Sequence, residues 1–354
     1  MRKTRQVTVG GIPIGGGAPI TIQSMCNTDT RDPKASLEQI ERLVDAGCQI
    51  IRLAVPDMEA SKGFGEIKKR CPIPMVADIH FDYRLAIAAI DNGADKIRIN
   101  PGNIGSPDKV EAVLTRAKAA HIPVRIGVNS GSLEKDLVEK YGGVTAEALC
   151  ESALKAVAYC ESFGFDDIVV SLKSTDVKMN HEAHKLFCSR SDRPLHIGLT
   201  ESGAGRMAEI KSAAALGALI LEGMGDTMRI SLTGDPVREV ILAKEVLAAV
   251  GARKQGIDFV SCPTCGRTRV DLPSIAVEVE RRLSPLSDKL SAEGRFIRVA
   301  VMGCEVNGPG EAREADFGVA CGKGVGLILD HGEIVKKVDE KDIADELIAL
   351  ITSK

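Results

Sequence analysis

The chain has 354 residues, 46 Lys and Arg against 49 Asp and Glu, a formal net charge of −3, 8 Phe, 3 Tyr and no Trp. That balance excludes a strongly basic nucleic-acid binder, and so few aromatics exclude a single-strand binder that stacks bases on rings. The longest apolar run, about ten residues from Ser212 to Leu221, is too short to span a bilayer. No apolar signal core follows the charged start Met1-Arg2-Lys3-Thr4-Arg5-Gln6, so a cytoplasmic protein of about two domains is expected. Ten cysteines in such a chain point to reduced thiols or metal ligands.

In chain order, the glycine-rich stretch Gly10-Gly11-Ile12-Pro13-Ile14-Gly15-Gly16-Gly17 reads as a β-hairpin that plugs the bottom of a barrel. Eight short aliphatic strands are then predicted at 20–25, 49–55, 75–81, 96–101, 124–129, 168–173, 195–201 and 228–232. Between them lie stretches of helical periodicity, such as 36–46, 84–92, 146–163 and 237–249, several stopping at Gly47, Gly93 and Gly164. Strand–helix alternation means a parallel sheet, and eight repeats predict a closed (β/α)8 TIM-type barrel. No G-x-G-x-x-G follows the first strand, which argues against an open doubly wound sheet. Near 251–256 the pattern changes. The boundary divides a barrel domain, 1–253, from a smaller α+β domain, 254–354. The second domain has predicted strands at 296–302, 317–320 and 326–329 and helices at 274–283 and 341–351.

Strand side chains alternate between faces. The aliphatic face of each barrel strand must pack on helices, which turns the polar face inward. That face carries Arg52, then Arg98 with Asn100, Arg125 with Asn129, Ser171 with Lys173, and Arg229 with Ser231. Five cations converge, with Asp78 and Glu201 as the acids placed nearby. Such a surplus calls for an anionic ligand, because unpaired buried charges cost several kcal/mol each. The guanidinium fork suits phosphate oxygens, so a diphosphate would balance the sum. The loops at 202–205 and 233–236 suit the phosphate position at a barrel top. The competing reading is a set of internal structural salt bridges. His80 ends the third strand on the inner face, as a ligand contact or as packing.

The second domain carries Cys262-Pro263-Thr264-Cys265-Gly266-Arg267 and, further on, Gly303-Cys304-Glu305-Val306-Asn307-Gly308-Pro309-Gly310-Glu311. A lone C-x-x-C admits zinc, iron–sulfur or a redox dithiol. Cys321 is a possible fourth thiolate for zinc. Alternatively, a turn over 307–310 reverses the chain and returns Glu311 towards Cys304. Three thiolates leave one iron of a 4Fe–4S cluster for a carboxylate that a substrate oxygen can replace. The remaining cysteines read as buried hydrophobes, with Cys26, just past the first barrel strand, the least settled.

These segments, with Lys96-Ile97-Arg98-Ile99-Asn100-Pro101-Gly102-Asn103, Arg125-Ile126-Gly127-Val128-Asn129-Ser130-Gly131-Ser132 and Gly198-Leu199-Thr200-Glu201, resemble the bacterial 4-hydroxy-3-methylbut-2-en-1-yl diphosphate synthase family of the methylerythritol phosphate route to isoprenoids. The resemblance covers nearly the whole chain, in the short two-domain form. It implies reductive opening of 2-C-methyl-D-erythritol 2,4-cyclodiphosphate, with loss of water, to 4-hydroxy-3-methylbut-2-enyl diphosphate. It implies a 4Fe–4S cluster on Cys262, Cys265, Cys304 and Glu311, fed by reduced flavodoxin or ferredoxin. Arg52, Arg98, Asn100, Arg125, Asn129, Lys173, Arg229 and Ser231 would bind the diphosphate. Thr200 and Glu201 would sit at the reacting carbons, with Glu201 as proton donor. It also implies a homodimer in which the cluster domain of one chain closes over the barrel of the other.

Overall fold

The computed structural model describes residues 2–306 and 308–354. The chain divides into two compact units, one ending at Arg253 and one beginning at Lys254.

The first unit opens with the antiparallel hairpin β1 (Gln6–Val9) and β2 (Ile12–Gly15). Its two-residue turn needs positive φ at both positions, which Gly10 and Gly11 supply at 53° and 89°. Val7, Val9 and Ile14 are buried against Ile50, Val76 and Val169 of the barrel strands. The hairpin therefore closes one end of the barrel with an apolar plug, as expected.

The barrel strands are β3 (Thr21–Met25), β4 (Ile50–Ala54), β5 (Met75–Asp78), β6 (Lys96–Ile99), β7 (Val124–Asn129), β8 (Ile168–Lys173), β9 (His196–Ile197) and β10 (Thr227–Met228). They run parallel in the order β8-β7-β6-β5-β4-β3-β10-β9, and a parallel bridge from Val170 to Leu195 joins the two ends. The TIM-type barrel is as predicted. Helices lie between the strands, and acidic residues fix where many of them begin. Asp32, Asp57, Asp82, Asp176 and Asp235 each accept a backbone N–H at a helix N-terminus. One contiguous core joins the helices to the outward aliphatic face of the strands.

Several strands are shorter than the pattern predicts, among them the one expected at 75–81, which ends at Asp78. The seventh and eighth keep only two ladder residues each. Just past β9, Gly198 lies where the Lys173 amine crosses: a Cβ there would stand 2.7 Å from Lys173 Nζ and 2.8 Å from the Arg229 carbonyl. The predicted strand at 96–101 also stops early, because Pro101 opens a helix, Pro101–Ile104, capped by Asn100.

In the second unit β11 (Ile257–Ser261), β12 (Ile297–Met302), β13 (Phe317–Gly322), β14 (Val325–Asp330) and β15 (Glu333–Asp339) form one mixed sheet in sequence order. β11 to β13 are parallel, and the last two pairings are antiparallel. Helices Leu272–Ala292 and Ile343–Thr352 cover one face, and the short helix Gly308–Arg313 contributes Ala312 to the other. The outer strands β11 and β15 lack a sequence signal. β15 is an edge strand with five exposed residues in a row, so no buried period-2 stripe marks it. The first helix runs nine residues beyond its predicted end at 283, past Pro285, because Leu283 and Leu290 both remain buried. Among the described residues no helix is long and apolar enough to cross a membrane.

Candidate active site

Barrel alternation sends Arg52, Asp78, Arg98, Arg125, Ser171, Lys173 and Arg229 into the interior, where they line a cavity of about 190 Å³. Asn129, Thr200, Ser231 and His80 complete its wall. Two glycines make the space. A Cβ on Gly127 would stand 2.7 Å from Arg98 Nε, as one on Gly198 would crowd Lys173.

Five cations thus face few anions. Asp78 sits 3.3 Å from Arg98 and 3.9 Å from Arg52, and Arg229 pairs at 3.2 Å with Glu239 from the helix Pro236–Ala249. Arg125 and Lys173 form no ion pair among the described residues. Arg52 aims Nε and an Nη at the Met25 thioether, at 3.1 and 2.8 Å, a weak acceptor for a cation. Arg125 donates once, to Ser171 Oγ at 3.2 Å, while its Nε and other Nη find no partner among the described residues. Arg98 Nε is likewise unpartnered. Two carboxylates against five basic groups leave three of those groups without an acid of their own. The structural salt-bridge reading therefore accounts for Arg98 and Arg229 and fails for Arg125 and Lys173.

The titration behaviour follows from this crowding. Burial lowers Arg52 to about 10, with Asp78 acting against it and Arg229 and Arg98 adding to it. Burial depresses Lys173 well below its ordinary value, and Arg125, Arg52, Arg229 and Arg98 push the same way. Burial alone would raise the Asp78 carboxyl, but Arg52, Arg98 and Arg125 together hold it below the ordinary range. Guanidinium groups do not release their proton in a protein, so the pocket holds positive potential in store for an anion.

Two predicted residues stand apart from the cavity wall. The Asn100 side chain caps its own helix, accepting from Gly102 N at 3.2 Å. Glu201 is exposed and adopts φ +53°, a left-handed conformation that costs a non-glycine residue about 1–2 kcal/mol. Such strain is often held at functional positions.

In the second unit Cys262 follows β11 and Cys304 follows the adjoining β12, so parallel pairing brings both to the C-terminal end of these strands. Cys262 Sγ accepts from Gly303 N at 3.2 Å. The Arg267 guanidinium lies in the field of Cys265, Cys304 and Cys262. Hydrogen bonds from Arg267 hold the exposed Cys265 thiol below its usual value. Cys321 is different: it is buried in the apolar core, and burial pushes its thiol to about 12. Its place among apolar side chains sets it apart from the exposed Cys265. The turn expected over 307–310 is corrected: residues from Gly308 to Arg313 form a helix, with Glu311 exposed in its first turn, and Asn307 lies outside the described residues. Among the described residues no three His, Cys, Asp or Glu side chains are arranged to hold a single metal ion. Cys26 is buried with its thiol pushed to about 12, a packing residue.

Residues 4–244 match the family described as GcpE TIM-barrel domain, and residues 258–353 that described as GcpE protein C-terminal domain. A 4-hydroxy-3-methylbut-2-en-1-yl diphosphate synthase (flavodoxin) from Geobacter sulfurreducens is 55% identical over 347 residues, 98% of this chain and 96% of its own. Its namesake from Clostridium acetobutylicum is 54% identical over 346 residues, 98% of this chain and 97% of its own. The chain belongs to the GcpE family. In fold alone the GcpE barrel is similar to the N-acetylneuraminic acid synthetase of Leptospira borgpetersenii serovar Hardjo-bovis, with a TM-score of 0.52 at 15% identity over 71% of this chain and 91% of that one.

Four polar residues of this GcpE barrel escaped the sequence reading. Glu239, the partner of Arg229, comes from a helix, where strand alternation is silent. Gln23, Lys96 and His196 lie inward on β3, β6 and β9 and are buried. The signal for Lys96 was present, since it stands two residues before Arg98 and shares its face.

Proposed function

We propose that the chain is an oxidoreductase that converts 2-C-methyl-D-erythritol 2,4-cyclodiphosphate to 4-hydroxy-3-methylbut-2-enyl diphosphate by two-electron reductive ring opening and dehydration. The observation that carries this reading is the set of three basic groups without an acid of their own in a buried pocket, which a cyclic diphosphate would pair with. Arg52, Arg98, Arg125, Lys173 and Arg229 would grip the phosphoryl oxygens, with Asn129 and Ser231 donating or accepting alongside them. Thr200 is placed on the wall where the carbon skeleton would lie, and Glu201 beside it is the proton donor in this reading. Asn100 would act by shaping the rim through its helix cap.

Cys262, Cys265, Cys304 and Glu311 would hold a 4Fe–4S cluster. The donor set fits: the Arg267 guanidinium lies in the field of all three cysteines and holds the Cys265 thiol below its usual value, and a cluster takes one ligand per iron, so it needs no close triad around a single ion. Such a cluster supplies single electrons and an open iron site for a substrate oxygen. The residues 1–253 would then bind the diphosphate, and 254–354 would carry the cluster. The relatives' name includes flavodoxin, which supports reduced flavodoxin, with ferredoxin as the alternative electron donor. The reading includes a homodimer, for which the exposed Met207, Ile210 and Leu221 on the helix Gly205–Leu221 offer an apolar stripe. It places the protein in the cytoplasm, with no nucleic-acid or membrane partner.

The test is iron, acid-labile sulfide and zinc content of anaerobically prepared protein, followed by turnover with reduced flavodoxin. About four irons and four sulfides per chain are expected, with product formed. One zinc and no sulfide after reconstitution would sink the redox reading.

A further inference from the structure

Below the anion pocket the barrel interior remains polar, and it holds an amine that the pocket does not use. Lys96 is fully buried at the start of β6, about 7 Å along the strand from Arg98 and on the same face. Its Nζ donates to Gln23 Oε1 at 3.3 Å. It forms no ion pair among the described residues. It lies in the field of Arg125 of β7 and Arg52 of β4, and its own charge acts on the buried His196 of β9. Asp78 of β5 is taken by Arg98 and Arg52, and the neighbouring Asp95 is turned to Lys68 and Met75 N. His196 has neither ring nitrogen partnered among the described residues, nor has Thr227 Oγ1 or Gln23 Nε2.

Burial and like charge both act against an ammonium here, and they hold Lys96 well below its usual value. The adjacent guanidinium groups cannot relieve the repulsion by losing a proton, whereas the amine can. A diphosphate settling on Arg52 and Arg125 would cancel their charge and reverse the field at Nζ.

We propose that Lys96 is the proton acceptor of the anion pocket, neutral in the free protein and protonated when a polyanion fills the pocket above it. Binding and proton uptake are then coupled, and the coupling is reciprocal. The proposal rests on the pocket being a diphosphate site.

Calorimetric titration of the whole protein with inorganic pyrophosphate, near pH 8 in buffers of different ionisation enthalpy, counts the protons taken up. Lys96→Met replaces the amine with a side chain of similar size that does not titrate. Wild type should take up about one proton more than Lys96→Met, and its affinity should fall up to about tenfold more per pH unit. Protons from pyrophosphate and from Lys173 are common to both proteins and cancel in the difference. Equal uptake overturns the proposal. A wild type that does not bind pyrophosphate overturns the pocket reading on which it rests. The 15Nζ shift of Lys96 in the wild-type protein gives an answer independent of the variant's folding: an ammonium signal before pyrophosphate is added also overturns the proposal.

Discussion

Arg125 concentrates the argument at the scale of one residue. It is 1% exposed, donates once and is repelled by Arg52 and Arg98. A buried cation kept without a partner costs stability, so its replacement by an apolar side chain should be neutral or stabilising to the fold. Arg125→Met should therefore keep or raise the unfolding temperature of the free protein while removing most of the stabilisation that pyrophosphate gives wild type. Lower stability with undiminished pyrophosphate stabilisation would make Arg125 structural. Glu201 carries the second residue-scale prediction. Its side chain is exposed, so Glu201→Gln should fold normally and bind substrate, yet turn over about 10²-fold more slowly, as loss of a positioned acid does. Wild-type turnover would remove it from the chemistry.

At the scale of an element, strands place charge only where a neighbouring strand gives it room. Gly127 on β7 lies against Arg98 from β6, and this approach leaves no space for a methyl group. Gly127→Ala should push the guanidinium aside and weaken pyrophosphate binding on the order of tenfold, with a smaller effect on stability, since the long side chain can swing. Unchanged affinity would show that Arg98 does not reach the anion. The small sheet gives a parallel case. Cys304 follows β12 in the field of Arg267, whereas Cys321 lies within β13 in the apolar core. Cys304→Ser should abolish iron incorporation, and Cys321→Ala should leave it intact. Iron lost equally from both variants would return Cys321 to the ligand set.

For the whole molecule, burial ties stability to pH. His184 is fully buried, and burial takes it from 6.5 to about 4; His196 is depressed as well, again mainly by burial. Between those values the unfolded chain binds more protons than the folded one, so stability falls as pH drops from about 6.5 towards 4. His184 alone accounts for on the order of 3 kcal/mol of this loss. Glu239 and Asp226, raised by burial, act in the opposite direction. Urea unfolding at pH 7.5 and 5 should show the decline, and His184→Gln should flatten part of it. An unfolding free energy that does not change over this range would show that the buried histidines do not stay neutral.

The barrel and its cationic lining were legible in the sequence because strand alternation is local: Arg52, Arg98, Arg125, Lys173 and Arg229 each oppose aliphatic neighbours that must face helices. The cysteine spacing was legible for the same reason, since C-x-x-C is a contiguous motif. Charge pairing depended on the tertiary structure. Glu239 reaches Arg229 from a helix, Asp78 is shared between Arg52 and Arg98, and Arg125 pairs with no acid among the described residues. The structure also buried Cys321 in the apolar core and placed a helix from Gly308 to Arg313 where a turn was expected. A side chain's face is set by its own strand, whereas its partner and its access to water are set by packing between segments far apart in the chain.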